Sequence, residues 1–172
     1  MNGPAVVVVG PMGAGKTTVA ALLAEAWQTS ARDTDHDVEA IEGRSIADIF
    51  VDSGEDTFRA LERDAVADAL ASHDGVLALG GGAVLDADTR TLLAGHEVVF
   101  LRVGLSDAVK RVGLGTARPL LLGNVRGRIK TLLDERTPIY ESVATLVVDT
   151  DGRTPDEVAA EIVAALPRTA DA

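Results

Sequence analysis

Residues 5–18 read AVVVVGPMGAGKTT, and the architecture expected for the rest of the chain follows from this stretch. Its first part, 5–9, is a short run rich in β-branched residues that ends at a glycine. Such a run is typical of a strand buried on both faces of a parallel sheet. Its second part, 10–17, fits the pattern G-x-x-x-x-G-K-S/T. Apolar residues at helical spacing follow over 17–27, so the pattern joins a strand to a helix, as it does in phosphate-binding loops.

The chemistry of this loop explains the residue types. Glycines allow successive backbone N–H groups to turn towards an anion, and the helix N-terminus adds further donors and a positive dipole end. Lys16 can reach the β- and γ-phosphates, and the Thr17 hydroxyl can ligate Mg²⁺. A glycine-rich turn can also connect a strand to a helix without binding anything. Because the chain has only three lysines, the position of Lys16 favours a nucleoside triphosphate site.

Strands and helices alternate along the chain, which predicts a single α/β domain over 1–172 with a mostly parallel central sheet. The predicted strands are 5–9, a short polar strand at 29–32, 75–79, 97–103 and 145–149. The predicted helices are 17–27, 37–41, 45–50, 56–71, 88–94, 106–112, 125–140 and 155–166. The segment 33–35 is expected to be a loop.

Composition narrows the function classes. The chain has 172 residues, no cysteine and three histidines, so disulfides and Cys-ligated zinc are excluded and a His-based metal site is not expected. The net charge of −11 and the 3% aromatic content disfavour nucleic-acid and anionic-membrane binding. No apolar run approaches the ~20 residues of a membrane span. We therefore expect a cytoplasmic protein, and a monomer because no apolar stripe is left over beyond the core faces.

Three classes of phosphate-loop protein compete. A GTPase switch would carry N-K-x-D, which is absent, and the D-x-x-G at 149–152 comes too late in the chain. A motor-type ATPase would need a longer chain and a strand ending in Asp, whereas the strand 75–79 runs into three glycines. A small-molecule or nucleotide kinase remains.

Several local clusters indicate further chemistry, and the first two of them also have a simpler structural explanation. Asp33-Thr34-Asp35 can serve Mg²⁺ and a substrate hydroxyl, or be a solvated acidic turn. Arg59 and Glu62, three apart on a helix, can grip a substrate carboxylate or form a surface ion pair. The glycines at 80–82 favour close backbone approach to a ligand at a strand end. Arg118, in a glycine-bearing segment, indicates a lid that closes over the phosphates.

Together these motifs resemble the shikimate kinase family of P-loop kinases, which are related to the nucleoside monophosphate kinases. The resemblance covers nearly the whole chain. The matching segments, in order, are GPMGAGKTT at 10–18, DTD at 33–35, RSIADIF at 44–50, GEDTFRALE at 54–62, LGGGAV at 79–84, ARPLL at 117–121 and ERTPIY at 135–140.

The resemblance implies a three-layer P-loop kinase fold: a five-stranded, mostly parallel sheet flanked by helices, with a substrate-binding segment at about 33–62 and a lid at about 113–125. It also implies ATP-dependent phosphorylation of the 3-hydroxyl of shikimate in aromatic amino-acid biosynthesis. The implied catalytic residues are Lys16, Asp35 and Arg118. The implied ATP-binding residues are Gly13, Ala14, Gly15, Lys16, Thr17, Thr18, Arg111, Arg118, Arg153 and Pro155. The implied shikimate-binding residues are Asp35, Phe50, Phe58, Arg59, Gly80, Gly81, Gly82 and Arg136. Mg²⁺ would be held by Thr17 and, through water, by Asp33.

Two alternatives stay open at this point. A sister kinase acting on another polyol acid, such as gluconate, would have a pocket without the Asp35, Arg59 and Arg136 trio. A silent nucleotide-binding homologue would have lost Lys16, Asp35 or Arg118. All of these residues are present in the sequence.

Overall fold

Five parallel strands form one sheet in the computed structural model, which describes residues 3–113 and 124–167. The strands are β1 (Val6–Val9), β2 (Ala31–Asp33), β3 (Val76–Ala78), β4 (Val98–Arg102) and β5 (Leu146–Asp149). Their order across the sheet is β2-β3-β1-β4-β5, and every pairing is parallel. The predicted five-stranded sheet is confirmed, and the polar second strand is short, as expected, although it lies one to two residues later in the chain.

Helices connect these strands. They are α1 (Lys16–Ala26), α2 (Thr34–Glu42), α3 (Ile46–Ser72), α4 (Ala87–Leu93), α5 (Leu105–Gly113), α6 (Val125–Val143) and α7 (Pro155–Ala165), with a short 3-10 helix at Ala83–Leu85. One prediction was wrong: the segment 33–35 is not a loop, because α2 begins at Thr34. The two helices predicted at 45–50 and 56–71 are confirmed as two helical stretches that meet at a kink at Gly54 within α3.

Hydrogen-bonding side chains set these helix starts. Asp33 caps α2 by accepting a 2.9 Å hydrogen bond from the backbone N–H of Asp35, and Ser45 caps α3 by accepting one of 3.1 Å from Asp48. Gly54 interrupts α3 with non-helical dihedral angles, φ 85° and ψ 167°. The chain continues in helical form on both sides of Gly54, so the break is a kink rather than a loop.

The core lies on both faces of the sheet, which makes the three predicted layers. Side chains alternate along β1, so Val6 and Val8 face one buried cluster while Val7 and Val9 face the other. Helices α1 and α7 pack on the first face, and the second half of α3 packs on the second. The carboxyl ends of the parallel strands share one edge, where the phosphate loop follows β1, Asp33 ends β2 and the triple glycine follows β3.

None of the helices in the described part of the chain combines the length and the apolar character needed to span a membrane. Residues 114–123 lie outside the described residues. They include Arg118 and almost all of the predicted lid at 113–125.

Candidate active site

The phosphate loop lies at the carboxyl end of β1 and leads directly into α1. Gly15 caps the helix in the left-handed conformation, with φ 89° and ψ 24°. The backbone N–H of Ala14 donates a 3.2 Å hydrogen bond to the carbonyl of Pro11, which closes the loop into a tight turn. Lys16 folds back over this turn, and its Nζ donates a 3.0 Å hydrogen bond to the same carbonyl oxygen. The lysine therefore lies at the point where the loop would receive phosphate oxygens.

The electrostatic environment of Lys16 suits it to an anionic ligand. Burial lowers the pKa of Lys16 to about 8, against the opposing effect of the nearby carboxylates of Asp35 and Asp33. Arg136 lowers this pKa further. Because the lysine is held among groups that do not fully satisfy its charge, an arriving polyphosphate would stabilise the protonated form.

Thr17 and Asp33 are in direct contact. The Thr17 hydroxyl donates a 2.7 Å hydrogen bond to Asp33 Oδ2, while Asp33 Oδ1 caps α2. A hydroxyl and a carboxylate, placed beside a phosphate loop, are oxygen ligands of the kind Mg²⁺ takes, directly or through water, when it also binds substrate phosphates. The residues predicted to hold Mg²⁺ are thus next to each other and have suitable donor atoms.

The triple glycine lies close to charged side chains, so larger residues would not fit at two of its positions. A methyl group at Gly80 would collide with Asp35 Oδ1 and would lie 2.9 Å from Glu62 Oε2. A methyl group at Gly82 would lie 2.5 Å from Arg59 Nη1. Asp35 of α2 and both Arg59 and Glu62 of α3, all from the connection between β2 and β3, therefore lie against these glycines.

Asp35 lies beside both the phosphate loop and the triple glycine. Burial raises the pKa of Asp35, and the adjacent carboxylate of Asp33 raises it further, while Lys16 acts in the opposite direction. A carboxylate that is partly desolvated and faces a lysine can accept a hydrogen bond from a substrate hydroxyl, or its proton.

Arg59 is held in place by Glu62. Arg59 Nη1 donates a 2.9 Å hydrogen bond to Glu62 Oε1, and the Glu62 side chain is only 5% exposed, against 26% for Arg59. Burial raises the pKa of Glu62, against the opposing effect of Arg59. Arg59 Nη2 also donates a 3.3 Å hydrogen bond to Glu55 Oε2, whose side chain is 62% exposed. Because Glu62 is buried, the Arg59–Glu62 pair is not a solvated surface ion pair, and it fixes the guanidinium beside Gly82.

Arg136 and Tyr140 approach the triple glycine from α6. Arg136 Nη1 lies 3.9 Å from the position that a methyl group at Gly81 would occupy. The Tyr140 hydroxyl donates a 2.5 Å hydrogen bond to the carbonyl oxygen of Gly81. The two predicted carboxylate-binding arginines therefore lie beside neighbouring glycines, Arg59 beside Gly82 and Arg136 beside Gly81.

Phe50 and Phe58, the two aromatic residues predicted to bind shikimate, are in contact with each other. Their ring centroids are 4.9 Å apart, across the kink in α3. Phe58 is buried, whereas Phe50 is 36% exposed. The Arg59 guanidinium carbon lies 5.3 Å from the centre of the Phe58 ring. These rings give the site an apolar wall next to its charged groups.

The predicted adenine-side residues lie near the end of β5. Arg111 donates hydrogen bonds to the Gly13 carbonyl of the phosphate loop (3.1 Å) and to the Thr150 carbonyl (2.9 Å). Arg153 instead bonds the Asp149 carbonyl and the Glu161 carboxylate, and Pro155 is the first residue of α7. Arg111 thus reaches the loop, whereas Arg153 holds the β5–α7 connection.

Two residues of this site had no role in the sequence analysis. Thr34 is fully buried and its hydroxyl accepts a 3.2 Å hydrogen bond from the backbone N–H of Gly80. Tyr140 is fully buried and holds Gly81. The available signals were the central position of Thr34 in DTD and the position of Tyr140 one helical turn after Arg136.

Comparisons with known proteins agree with this geometry. The family model described as shikimate kinase matches residues 12–167. A shikimate kinase of Streptomyces coelicolor is 60% identical over 158 residues, covering 92% of this chain and 92% of the relative. A shikimate kinase of Streptomyces avermitilis is 59% identical, covering 96% of this chain and 97% of the relative.

Solved structures point the same way. A shikimate kinase from Acinetobacter baumannii in complex with shikimate superposes with a TM-score of 0.86 at 32% identity, covering 96% of this chain and 93% of that chain. The phosphate loop, the converging carboxylates and arginines, the parallel sheet and these relatives lead to one conclusion. The chain belongs to the shikimate kinase family, whose members transfer a phosphoryl group from ATP to shikimate.

Proposed function

We propose that this chain phosphorylates the 3-hydroxyl of shikimate between its phosphate loop and its triple glycine. The observation that carries this proposal is the convergence of Asp35, Arg59 and Arg136 on Gly80–Gly82, beside Lys16. A hydroxyl acceptor needs a base or orienting group, and an anionic acceptor needs a carboxylate clamp. Both are next to the loop that would hold the phosphoryl donor.

The nucleotide binds along the phosphate loop and the first turn of α1. Backbone groups of Gly13, Ala14 and Gly15 cradle the phosphates, and Thr18 extends the contact. Lys16 contacts the β- and γ-phosphates and neutralises charge that builds up as the phosphoryl group is transferred. Arg111, Arg153 and Pro155 border the adenine, with Arg111 also fixing the loop through the Gly13 carbonyl.

Thr17 and Asp33 hold Mg²⁺, the threonine directly and the aspartate through water. Mg²⁺ held by these two residues would neutralise part of the charge of the phosphates. The present hydrogen bond between the two side chains keeps both oxygen ligands within 2.7 Å of each other.

Shikimate binds with its carboxylate against Arg59 and Arg136 and its ring against Phe50 and Phe58. The triple glycine contacts it through backbone N–H groups. Asp35 accepts the hydrogen bond or proton of the attacking hydroxyl, so the hydroxyl is oriented towards the phosphoryl group. Arg118, on the lid, completes the charge neutralisation and the lid excludes water that would otherwise hydrolyse ATP.

A coupled ADP-release assay with Mg²⁺ and ATP tests this function. Shikimate, gluconate and no acceptor are compared, and we expect release that depends on shikimate alone. Release that gluconate supports equally would favour a sister kinase, and release that ignores the acceptor would leave only the nucleotide site.

Arg59→Ala tests the clamp, with Arg63→Ala as a matched control on the same helix. Arg63 pairs with Asp86 at 2.7 Å and has no part in the proposed clamp. Loss of a charge-assisted carboxylate contact is expected to raise KM for shikimate by at least tenfold. The control is expected to keep the KM of the unmodified chain. Equal values for the two variants would remove Arg59 from the site.

We further infer that the chain works as one cytoplasmic domain and as a monomer. Light scattering after size-exclusion chromatography is expected to give the monomer mass of 17.8 kDa. A mass twice as large, maintained on dilution, would contradict the monomer.

A further inference from the structure

The Tyr140 side chain connects the core of the molecule to the middle of the triple glycine. Its ring is fully buried and packs on Phe100 of β4, with ring centroids 5.0 Å apart. Its hydroxyl donates the 2.5 Å hydrogen bond to the Gly81 carbonyl oxygen. Because the ring is fixed by packing, the position of the hydroxyl is fixed as well, and the hydroxyl can hold the peptide that it contacts.

Holding this carbonyl also orients the other side of the same peptide. The described chain has no cis peptide bonds, so the Gly81 carbonyl and the Gly82 N–H point in opposite directions. The N–H of Gly82 is thereby directed away from Tyr140. Gly82 is also the residue that packs against Arg59, since a methyl group there would lie 2.5 Å from Arg59 Nη1.

Tyr140 also lies one turn after Arg136 on α6, and the two side chains meet the same glycine. Pro138 lies between them and lacks the N–H that would bond the carbonyl four residues earlier. This turn of α6 therefore lacks one backbone hydrogen bond. The hydrogen bond from Tyr140 to Gly81 holds the turn in place against the triple glycine. Burial raises the pKa of Tyr140, while Arg136 acts in the opposite direction. The raised pKa keeps the hydroxyl protonated, so it is a hydrogen-bond donor.

We propose that Tyr140 is a positioning residue for the acceptor substrate: its hydroxyl sets the orientation of the Gly81–Gly82 peptide and the register of Arg136 against it. Tyr140 acts through these groups and does not itself touch shikimate. The inference rests on the proposed function, because the peptide and Arg136 are there assigned to shikimate. It predicts that losing one hydroxyl weakens acceptor binding and leaves nucleotide binding intact.

Tyr140→Phe is the test, because it keeps the buried ring and removes only the donor. This hydrogen bond lies within the protein, so its loss weakens binding only by lowering the population in which the peptide is correctly oriented, and its net value limits that effect to roughly tenfold. KM for shikimate and its calorimetric Kd are expected to rise by roughly three- to tenfold, while KM for ATP and kcat stay within about twofold. Combining Tyr140→Phe with Arg136→Lys is expected to cost less than the product of the two single effects, because both changes disturb the same contact.

Thr145→Val is the control for loss of a side-chain hydroxyl that bonds a backbone carbonyl away from the site. Thr145 Oγ1 donates a 3.0 Å hydrogen bond to the Val98 carbonyl at the amino edge of the sheet, opposite to the site. This variant is expected to lower Tm without changing either KM. An unchanged shikimate Kd in Tyr140→Phe, or parallel weakening of shikimate and ADP binding, would overturn the positioning role. If the unmodified chain shows no shikimate-dependent ADP release, the proposed function fails instead, and the calorimetric comparison still decides whether Tyr140 affects shikimate binding.

Discussion

At the scale of single residues, Glu62 shows how a buried carboxylate controls a substrate-binding arginine. Burial raises its pKa, so on acidification Glu62 takes up a proton at a higher pH than an ordinary glutamate. Protonation weakens the hydrogen bond to Arg59, and the guanidinium is then held less firmly. We expect KM for shikimate to rise as the pH falls through a range that lies above the titration range of an ordinary glutamate.

Glu62→Gln isolates this effect, because glutamine cannot titrate. Its KM for shikimate is expected to be raised roughly three- to tenfold at neutral pH and to depend less on pH over the same interval. Titration of shikimate and ATP changes KM equally in the unmodified chain and in Glu62→Gln. The ratio of the KM values of these two proteins therefore reports the titration of Glu62. A ratio that stays constant from pH 5 to 8 would contradict this role of Glu62.

The sequence predicted the chemical groups of the site better than their supports. Lys16 and Arg59 stand in motifs whose residue types match a reaction, and the structure places Lys16 on the phosphate loop and Arg59 against Gly82. Thr34 and Tyr140 hold the triple glycine through backbone atoms of Gly80 and Gly81. A contact between a side chain and a distant backbone atom leaves no spacing pattern, because any residue can supply a carbonyl or an N–H.

At the scale of elements, the kink of α3 shapes the apolar wall. The two helices predicted at 45–50 and 56–71 meet at Gly54 with no loop between them, which the sequence did not indicate because a glycine flanked by polar residues is as typical of a loop as of a kink. Its dihedral angles, φ 85° and ψ 167°, lie in a region that is open essentially to glycine alone. The kink lies between Phe50 and Phe58 and brings their rings together.

Gly54→Ala is therefore expected to lower the free energy of unfolding by about 1–3 kcal/mol and to raise KM for shikimate. Gly43→Ala is the control, since Gly43 has the milder left-handed angles φ 67° and ψ 23° and, like Gly54, no atom within 4 Å of an added methyl group. Its expected cost is about 1 kcal/mol with no change in KM. Urea unfolding and steady-state kinetics of both variants check this. Equal costs for the two variants, with unchanged KM values, would contradict the role of the kink.

At the scale of the whole molecule, an acidic chain must bind two anionic substrates. The net charge is −11, so attraction has to come from a few local groups rather than from the overall field. Lys16 is one of only three lysines, and it lies at the helix N-terminus where the loop amides point. The opposing carboxylates of Asp33 and Asp35 are beside it, which suits a site that holds a metal cation together with a polyphosphate.

Nucleotide binding should therefore appear as thermal stabilisation that depends on Lys16. At a concentration of Mg·ADP one hundred times its Kd, binding to the folded state raises the free energy of unfolding by about 2.7 kcal/mol. This corresponds to a Tm increase of about 5–11 °C for a chain of this length. In Lys16→Ala we expect an increase below about 2 °C at the same nucleotide concentration. Burial lowers the pKa of Lys16 to about 8, so the buried ammonium opposes folding and its removal should not lower the Tm of the free protein.

Lys130→Ala is the control, since Lys130 forms an exposed ion pair with Asp134. This variant should show the full Tm increase with Mg·ADP. If Lys16→Ala were stabilised by Mg·ADP as strongly as Lys130→Ala, the loop amides alone would hold the phosphates and the assignment of Lys16 would be wrong.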